Sequence, residues 1–216
     1  MTTSVSKTIL DKMSWIAAIS ITMAAILLHF FSAAQAGGLW RDEVGMANIA
    51  AMSSAREIFQ ALLHDHCPMV FPILLRAWMT LGFAHTDTGL RIFGLCVGLT
   101  LIASFWAASR MMGKGLPLIS LSIVALNSTV IRYGDSMRGY ALGMVFILTT
   151  MGLIWRFIEV PNVRRGLMAG FAAVVSVQTL YQNAFFLLAI CIAGVVVSLR
   201  QRQQLKGVGI LAIGFV

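Results

Sequence analysis

Two adjacent carboxylates, Asp42 and Glu43, close the sequence Trp40-Arg41-Asp42-Glu43 directly after the first long apolar run. A carboxylate in that place is either a solvated charge or a base that takes the proton from an attacking hydroxyl. Its company favours the second. Arg91 opens another apolar run, Arg132-Tyr133-Gly134-Asp135 and Arg138 crowd one short turn, and Tyr181-Gln182-Asn183 forms the next. Arginine forks grip phosphate through paired hydrogen bonds. Carboxylates able to act as a base and arginines able to hold a phosphate thus occur together. Asp135 has two readings: it pairs with Arg132 or Arg138 and orients them, or it touches a substrate.

Other polar residues are weaker candidates. His64-Asp65-His66 could contribute to an acceptor or loop site. Its donor types suit zinc, but the i, i+2 spacing offers no clear third ligand. No metal or other cofactor is assigned, although a divalent ion is compatible with the residues. His29 is expected to be a packing or interfacial residue, and His85 and Asp87 a solvated loop. Asn127 and Gln178 fall inside apolar runs, where interhelical hydrogen bonds are expected of them. Cys96 and Cys191 read as core residues and Cys67 as a loop residue, with no disulfide or metal spacing among them.

The elements that must position these groups follow from composition. Of 216 residues 59% are hydrophobic and 11% charged, against about 25% charged in a soluble domain. The apolar runs are 14–35, 68–84, 89–109, 116–131, 139–157, 166–181, 184–199 and 207–216. Most approach the roughly 20 residues a helix needs to cross a bilayer, and none alternates with period two as a barrel strand would. The predicted fold is therefore all-α, a polytopic transmembrane helical bundle. The net charge of +8 falls in short loops, as orientation signals do, so no nucleic-acid partner is inferred. Lys7 and Lys12 before the first run, with Ala34-Gln35-Ala36 after it, imitate a signal peptide. The run exceeds the roughly 7–15 residues of such a segment, so an uncleaved first span over 14–35 is expected.

Run 68–84 decides the orientation. It holds Pro68, Pro72 and, at its centre, Arg76, and a central charge costs about 2.5–3.5 kcal/mol on insertion scales. If it crosses, only 5 of 16 Lys and Arg lie on the cytoplasmic side; if it lies at the interface or re-enters, 10 do. The second arrangement obeys the positive-inside rule. It places the N-terminus in the cytoplasm and 36–88 in a long extracytoplasmic loop. Five further spans and the start of another follow over 89–216. Within the loop, Ser54-Ala55-Arg56-Glu57 reads as a capping box. It opens an amphipathic helix bearing Ile58, Phe59, Leu62 and Leu63, which lies on the membrane. Six of the eight acidic residues fall outside: Asp42, Glu43, Glu57, Asp65, Asp87 and Asp135. The chain reads as one transmembrane domain, 1–216, truncated within its last run.

Several motifs, in order, resemble the GT-C glycosyltransferases, in particular the protein mannosyltransferase and aminoarabinose transferase group. They are Arg41-Asp42-Glu43 after the first span and His64-Asp65-His66-Cys67-Pro68 leading to Pro72-Ile73-Leu74. Leu90-Arg91-Ile92-Phe93-Gly94 follows, then Arg132-Tyr133-Gly134-Asp135-Ser136-Met137-Arg138-Gly139-Tyr140-Ala141, then Tyr181-Gln182-Asn183-Ala184-Phe185-Phe186. The resemblance covers the N-terminal part of such enzymes. It implies an inverting membrane transferase that takes a sugar from a polyprenyl-phosphate donor and works on the extracytoplasmic face, in a bacterial inner or plasma membrane. The acceptor would be a protein, a lipid or a cell-envelope glycan. Asp42, with Glu43 beside it, would be the catalytic carboxylate. Arg132, Arg138 and Arg91, with Tyr181, Gln182 and Asn183, would hold the donor phosphate. Gln182 stands where many relatives carry a His, and Gln cannot carry a proton. The second large outer loop of that fold would lie outside this chain. Two other readings stand beside it: a lipid-linked sugar transporter or flippase, which would share the arginines and the groove, and a non-catalytic truncated membrane relative.

Overall fold

The structure, a computed structural model, describes residues 2–65, 67–84, 86–113, 115–200 and 204–214. His66 and His85 lie outside these. The described residues form helices and the turns between them, with no strand among them. In chain order the helices are α1 (Thr2–Gln35), α2 (Arg41–Ala50), α3 (Ala55–Asp65), α4 (Val70–Thr80) and α5 (Asp87–Met111). A short α6 (Leu118–Ser120) runs into a π-helical turn (Leu121–Ala125). Then come α7 (Ser128–Gly134), α8 (Gly139–Glu159), α9 (Val163–Val177), α10 (Asn183–Arg200) and α11 (Gln204–Gly214). Four stretches are long and apolar enough to cross a membrane: Thr8–Gln35, Asp87–Met111, Gly139–Glu159 and Asn183–Arg200. The chain has the make-up of a membrane protein.

Two of the expected spans take another form. Run 116–131 is not one helix, because Asn127 interrupts it. Its backbone is extended and its Oδ1 accepts from the Thr129 and Val130 N–H groups at 2.9 and 3.3 Å. The Asn127 side chain thus caps α7 instead of bonding to another helix; a short amide side chain competes well for nearby backbone donors. Run 166–181 yields α9, which starts earlier, at Val163, where Asn162 caps it by accepting from Arg165 N–H at 2.8 Å. It ends at Val177, so its 15 residues rise only about 22 Å. Gln178 takes part through its backbone carbonyl, which accepts from Val70 N–H at 3.0 Å. Cys96 is exposed rather than in the core, while Cys191 is buried.

The region 41–80 is built from three short helices. α4, at 11 residues, is far shorter than a span, and Pro72 sits in its first turn, where a missing N–H costs nothing. Arg76, which a lipid-facing helix would carry at a cost, turns to the end of α2. There it donates to the carbonyls of Ala50 (3.2 Å), Met52 and Ser53 (3.2 Å). Ala50 closes α2 and its carbonyl has no partner within the helix, while Met52 and Ser53 lie just beyond it. In α3, Ile58 and Leu62 pack on Ile49 of α2, while Phe59 and Leu63 stay exposed. The cap differs from the box expected. Ser54 Oγ accepts from Glu57 N–H at 3.2 Å, but the Glu57 carboxylate turns to Ser53, accepting from its hydroxyl at 2.8 Å and its N–H at 3.2 Å. The Ser53 hydroxyl bond holds the Glu57 carboxyl below its ordinary pKa.

Two apolar cores share α8. The first joins α1, α2, α4, α5 and the π turn to the start of α8 through Ala25, Phe71, Leu75, Leu101, Leu121, Ala141 and Val145. The second joins the end of α8, through Ile154 and Ile158, to α9, α10 and α11 through Ala169, Leu187, Cys191 and Ile210. Trp106 of α5 stacks on Trp15 of α1 and donates to Thr22 Oγ1 at 3.1 Å, fixing those two helices against each other.

Candidate functional site

The end of α1, the start of α2, the start of α5 and the turn between α7 and α8 meet at one end of the first core. Glu43 is the post around which they gather. It is 3% exposed. One carboxylate oxygen accepts from Trp40 N–H at 2.8 Å, closing the first turn of α2. The other accepts from Arg91 Nη1 of α5 and from Met137 N–H in the α7–α8 turn, both at 2.9 Å. Arg91 also donates to the Gly38 carbonyl at 2.7 Å. With three donors already directed at it, Glu43 is an anchor.

Asp42 is the opposite kind of carboxylate. Its side chain is 51% exposed, with Arg138 Nη2 at 3.0 Å and the far more exposed Arg41 Nε at 3.8 Å. Successive residues of a helix point about 100° apart. The residue beside a buried anchor is thereby turned toward open space. Arg138 packs over the Tyr140 ring and donates to its hydroxyl at 3.1 Å. Arg132 lies over the Trp40 ring, 5.7 Å from its centre. Exposed ion pairs stabilise a fold by only about 0–1 kcal/mol, so the Asp42–Arg138 contact is free to open for a ligand.

Asp42 and Arg138 stand between two cavities and line both. The first, about 580 Å³, is walled by Trp40, Glu43, Arg91, Arg132, Tyr133, Asp135 and Ser136, with the end of α1. The second, about 530 Å³, is walled by Met46, Pro68, Phe71, Tyr140, Leu180, Tyr181 and Gln182. The sequence-predicted Asp42, Arg91, Arg132 and Arg138 thus surround one cavity, and Tyr181 and Gln182 line its neighbour. Asn183 does not join them. It is buried, and its amide donates to the Gly143 carbonyl at 2.8 Å and to Ser176 Oγ at 2.9 Å, pinning α10 to α8 and α9. His64 is exposed on α3 and lines neither cavity. Among the described residues no three His, Cys, Asp or Glu side chains gather as metal ligands would.

The sequence reading missed one pair. Asp135 pairs with neither Arg132 nor Arg138 and instead meets His29 of α1, with Nδ1 and Oδ1 at 2.5 Å. Both residues are buried, at 1% and 5% exposure. α5 makes room for them with two glycines one helical turn apart. A Cβ on Gly94 would strike the Asp135 carbonyl, and one on Gly98 would lie under 3.0 Å from both members of the pair. Gly94-x-x-x-Gly98, on the helix that opens with Arg91, was the available signal. Small residues spaced by four let another backbone approach closely. Gly98→Ala is therefore expected to lower stability by about 1–3 kcal/mol through overpacking, read as a drop in the thermal midpoint in detergent. An unchanged midpoint would mean that the pair does not sit against α5. No family model, no curated protein and no solved structure matches this chain.

Proposed function

We propose that the chain is a multi-pass membrane glycosyltransferase of the GT-C type. It moves a sugar, with inversion, from a polyprenyl-phosphate donor to an acceptor hydroxyl on the extracytoplasmic face. The observation that carries this reading is the Asp42–Arg138 pair standing between two cavities. An inverting transfer needs a base on one side of the anomeric carbon and a cation on the other, so the 3.0 Å Asp42–Arg138 contact opens to admit that carbon between them. As the acceptor oxygen attacks that carbon, Asp42 takes its proton. The bond from carbon to phosphate oxygen breaks on the opposite face, and its electron pair stays on the phosphate. The arginine cavity, with Arg138, Arg132 and Arg91, meets that growing charge, where fixed cations act most strongly. The second cavity, flanked by Tyr181 and Gln182, takes the acceptor, which is a protein, a lipid or an envelope glycan.

One observation favours a transporter instead. The interrupted segment 118–134 resembles the broken helices that bind substrate in carriers. Membrane vesicles containing the chain and a labelled polyprenyl-phosphate sugar separate the two. A transferase frees the polyprenyl phosphate as label leaves the carrier. Label that changes leaflet while still carrier-linked supports the transporter and overturns the transferase.

Orientation has its own test. With Cys67, Cys96 and Cys191 replaced by Ser, single cysteines at Gln35, Ser136 and Met112 are treated with an impermeant thiol reagent on intact cells. Gln35→Cys and Ser136→Cys are expected to label and Met112→Cys to stay unlabelled. Labelling of Met112→Cys with only one of the others would divide the site between two faces and sink the mechanism.

A further inference from the structure

The His29–Asp135 pair leaves one oxygen over. Oδ1 faces His29, while Oδ2 is buried with no partner among the described residues. Asp135 nevertheless lines the arginine cavity. A buried carboxylate oxygen without a donor is costly, and such groups are rare enough in native proteins to need a cause. None of the cavity's cations donates to it: Arg91 donates to Glu43 and Gly38, with its Nε buried and unpartnered, Arg138 pairs with Asp42 and Tyr140, and Arg132 lies over Trp40. A phosphate cannot fill the place either, since a carboxylate repels it. What fits is a hydrogen-bond donor carried by the same ligand whose phosphate the arginines hold.

We infer that Asp135, fixed by His29, is a specificity residue: its Oδ2 accepts a hydrogen bond from a ring hydroxyl of the sugar while the arginines hold the phosphate. This rests on the transferase reading and deepens it. The ligand it selects is a polyhydroxylated ring ester of phosphate, and a bare phosphate or an alkyl phosphate lacks the second contact. His29 acts through Asp135. By occupying Oδ1 from α1, it turns the carboxylate so that Oδ2 is the oxygen left for a ligand. Trp40, 66% exposed, and Tyr133, 48% exposed, give the ring apolar faces to lie against.

The test measures binding of soluble probes to the full chain in detergent. The 1-phosphates of glucose, mannose and galactose are compared with methyl phosphate and inorganic phosphate. At least one sugar phosphate is expected to bind about tenfold more tightly than methyl phosphate, as a hydrogen bond to a charged group provides. Asp135→Asn should bring that ratio to near one while inorganic phosphate binds as before. If this variant fails to fold, the comparison moves to the ligand. A per-O-methylated sugar 1-phosphate, which has no ring hydroxyl to donate, is then expected to lose the tenfold advantage on the wild-type chain. A ratio that survives Asp135→Asn, or sugar phosphates that bind no better than methyl phosphate, overturns the inference and leaves the transferase reading standing. If no phosphate binds, the arginine cavity is not a phosphate site, and both fall.

Discussion

If the chain is the proposed transferase, Asp42→Asn is expected to abolish most sugar transfer and leave the protein folded. The expected loss is about 10²–10⁴-fold, the usual contribution of a positioned general base. The amide keeps the size and one hydrogen-bond acceptor for Arg138, so geometry is nearly preserved while the proton acceptor is gone. Stability should change little, because Asp42 is half exposed and its ion pair with Arg138 lies in the open; pairs of that kind contribute about 0–1 kcal/mol. The measurement is the rate at which labelled sugar leaves its polyprenyl carrier in membranes, normalised to folded protein. Asp42→Glu serves as the companion, since it keeps the charge and moves it by one methylene. A variant Asp42→Asn that transfers within about threefold of wild type, far inside the range expected of a lost base, would remove Asp42 from the mechanism.

Glu43→Ala has the contrary signature: the fold fails before the chemistry can be read. Glu43 and Arg91 are an ion pair with side chains only 4% and 11% exposed. Removing one member of a buried pair costs about 3–5 kcal/mol, because the other charge is left uncompensated. The loss also frees the Trp40 N–H at the head of α2 and the Met137 N–H before Arg138. Glu43→Ala should therefore melt well below wild type or fail to accumulate. Glu43→Gln, which still accepts from the backbone, should fall between the two. A Glu43→Ala protein that melts normally and transfers no sugar would make Glu43 a reacting group and undo the division of labour drawn between it and Asp42.

That division marks where the sequence ceases to be legible. Composition and run length suffice for helices, and the clustering of Asp42, Arg91, Arg132 and Arg138 at run ends anticipates their meeting around one cavity. Which of two neighbouring carboxylates is the anchor depends on the rotation of α2 against α5, and no local pattern encodes that. The His29–Asp135 pair joins residues 106 positions apart, so only the glycine spacing on α5 hinted that something approaches there. Asn127 and Asn183 show a third limit. Both are amides in or beside apolar runs. One turns to its own backbone as a cap and the other ties three helices together. The choice is made by what lies next to each once the helices have packed.

The two cores that share α8 also impose an order on biogenesis. The buried residues of the first lie between Ala25 and Val145, and those of the second between Ile154 and Ile213. The walls of the arginine cavity come from residues 32 to 138. Chains are made from the N-terminus, and folded units form as they emerge. Every group that lines that cavity has therefore left the ribosome before the second core has its first buried residue. Where folding keeps pace with synthesis, that chamber is walled before the later helices pack against α8.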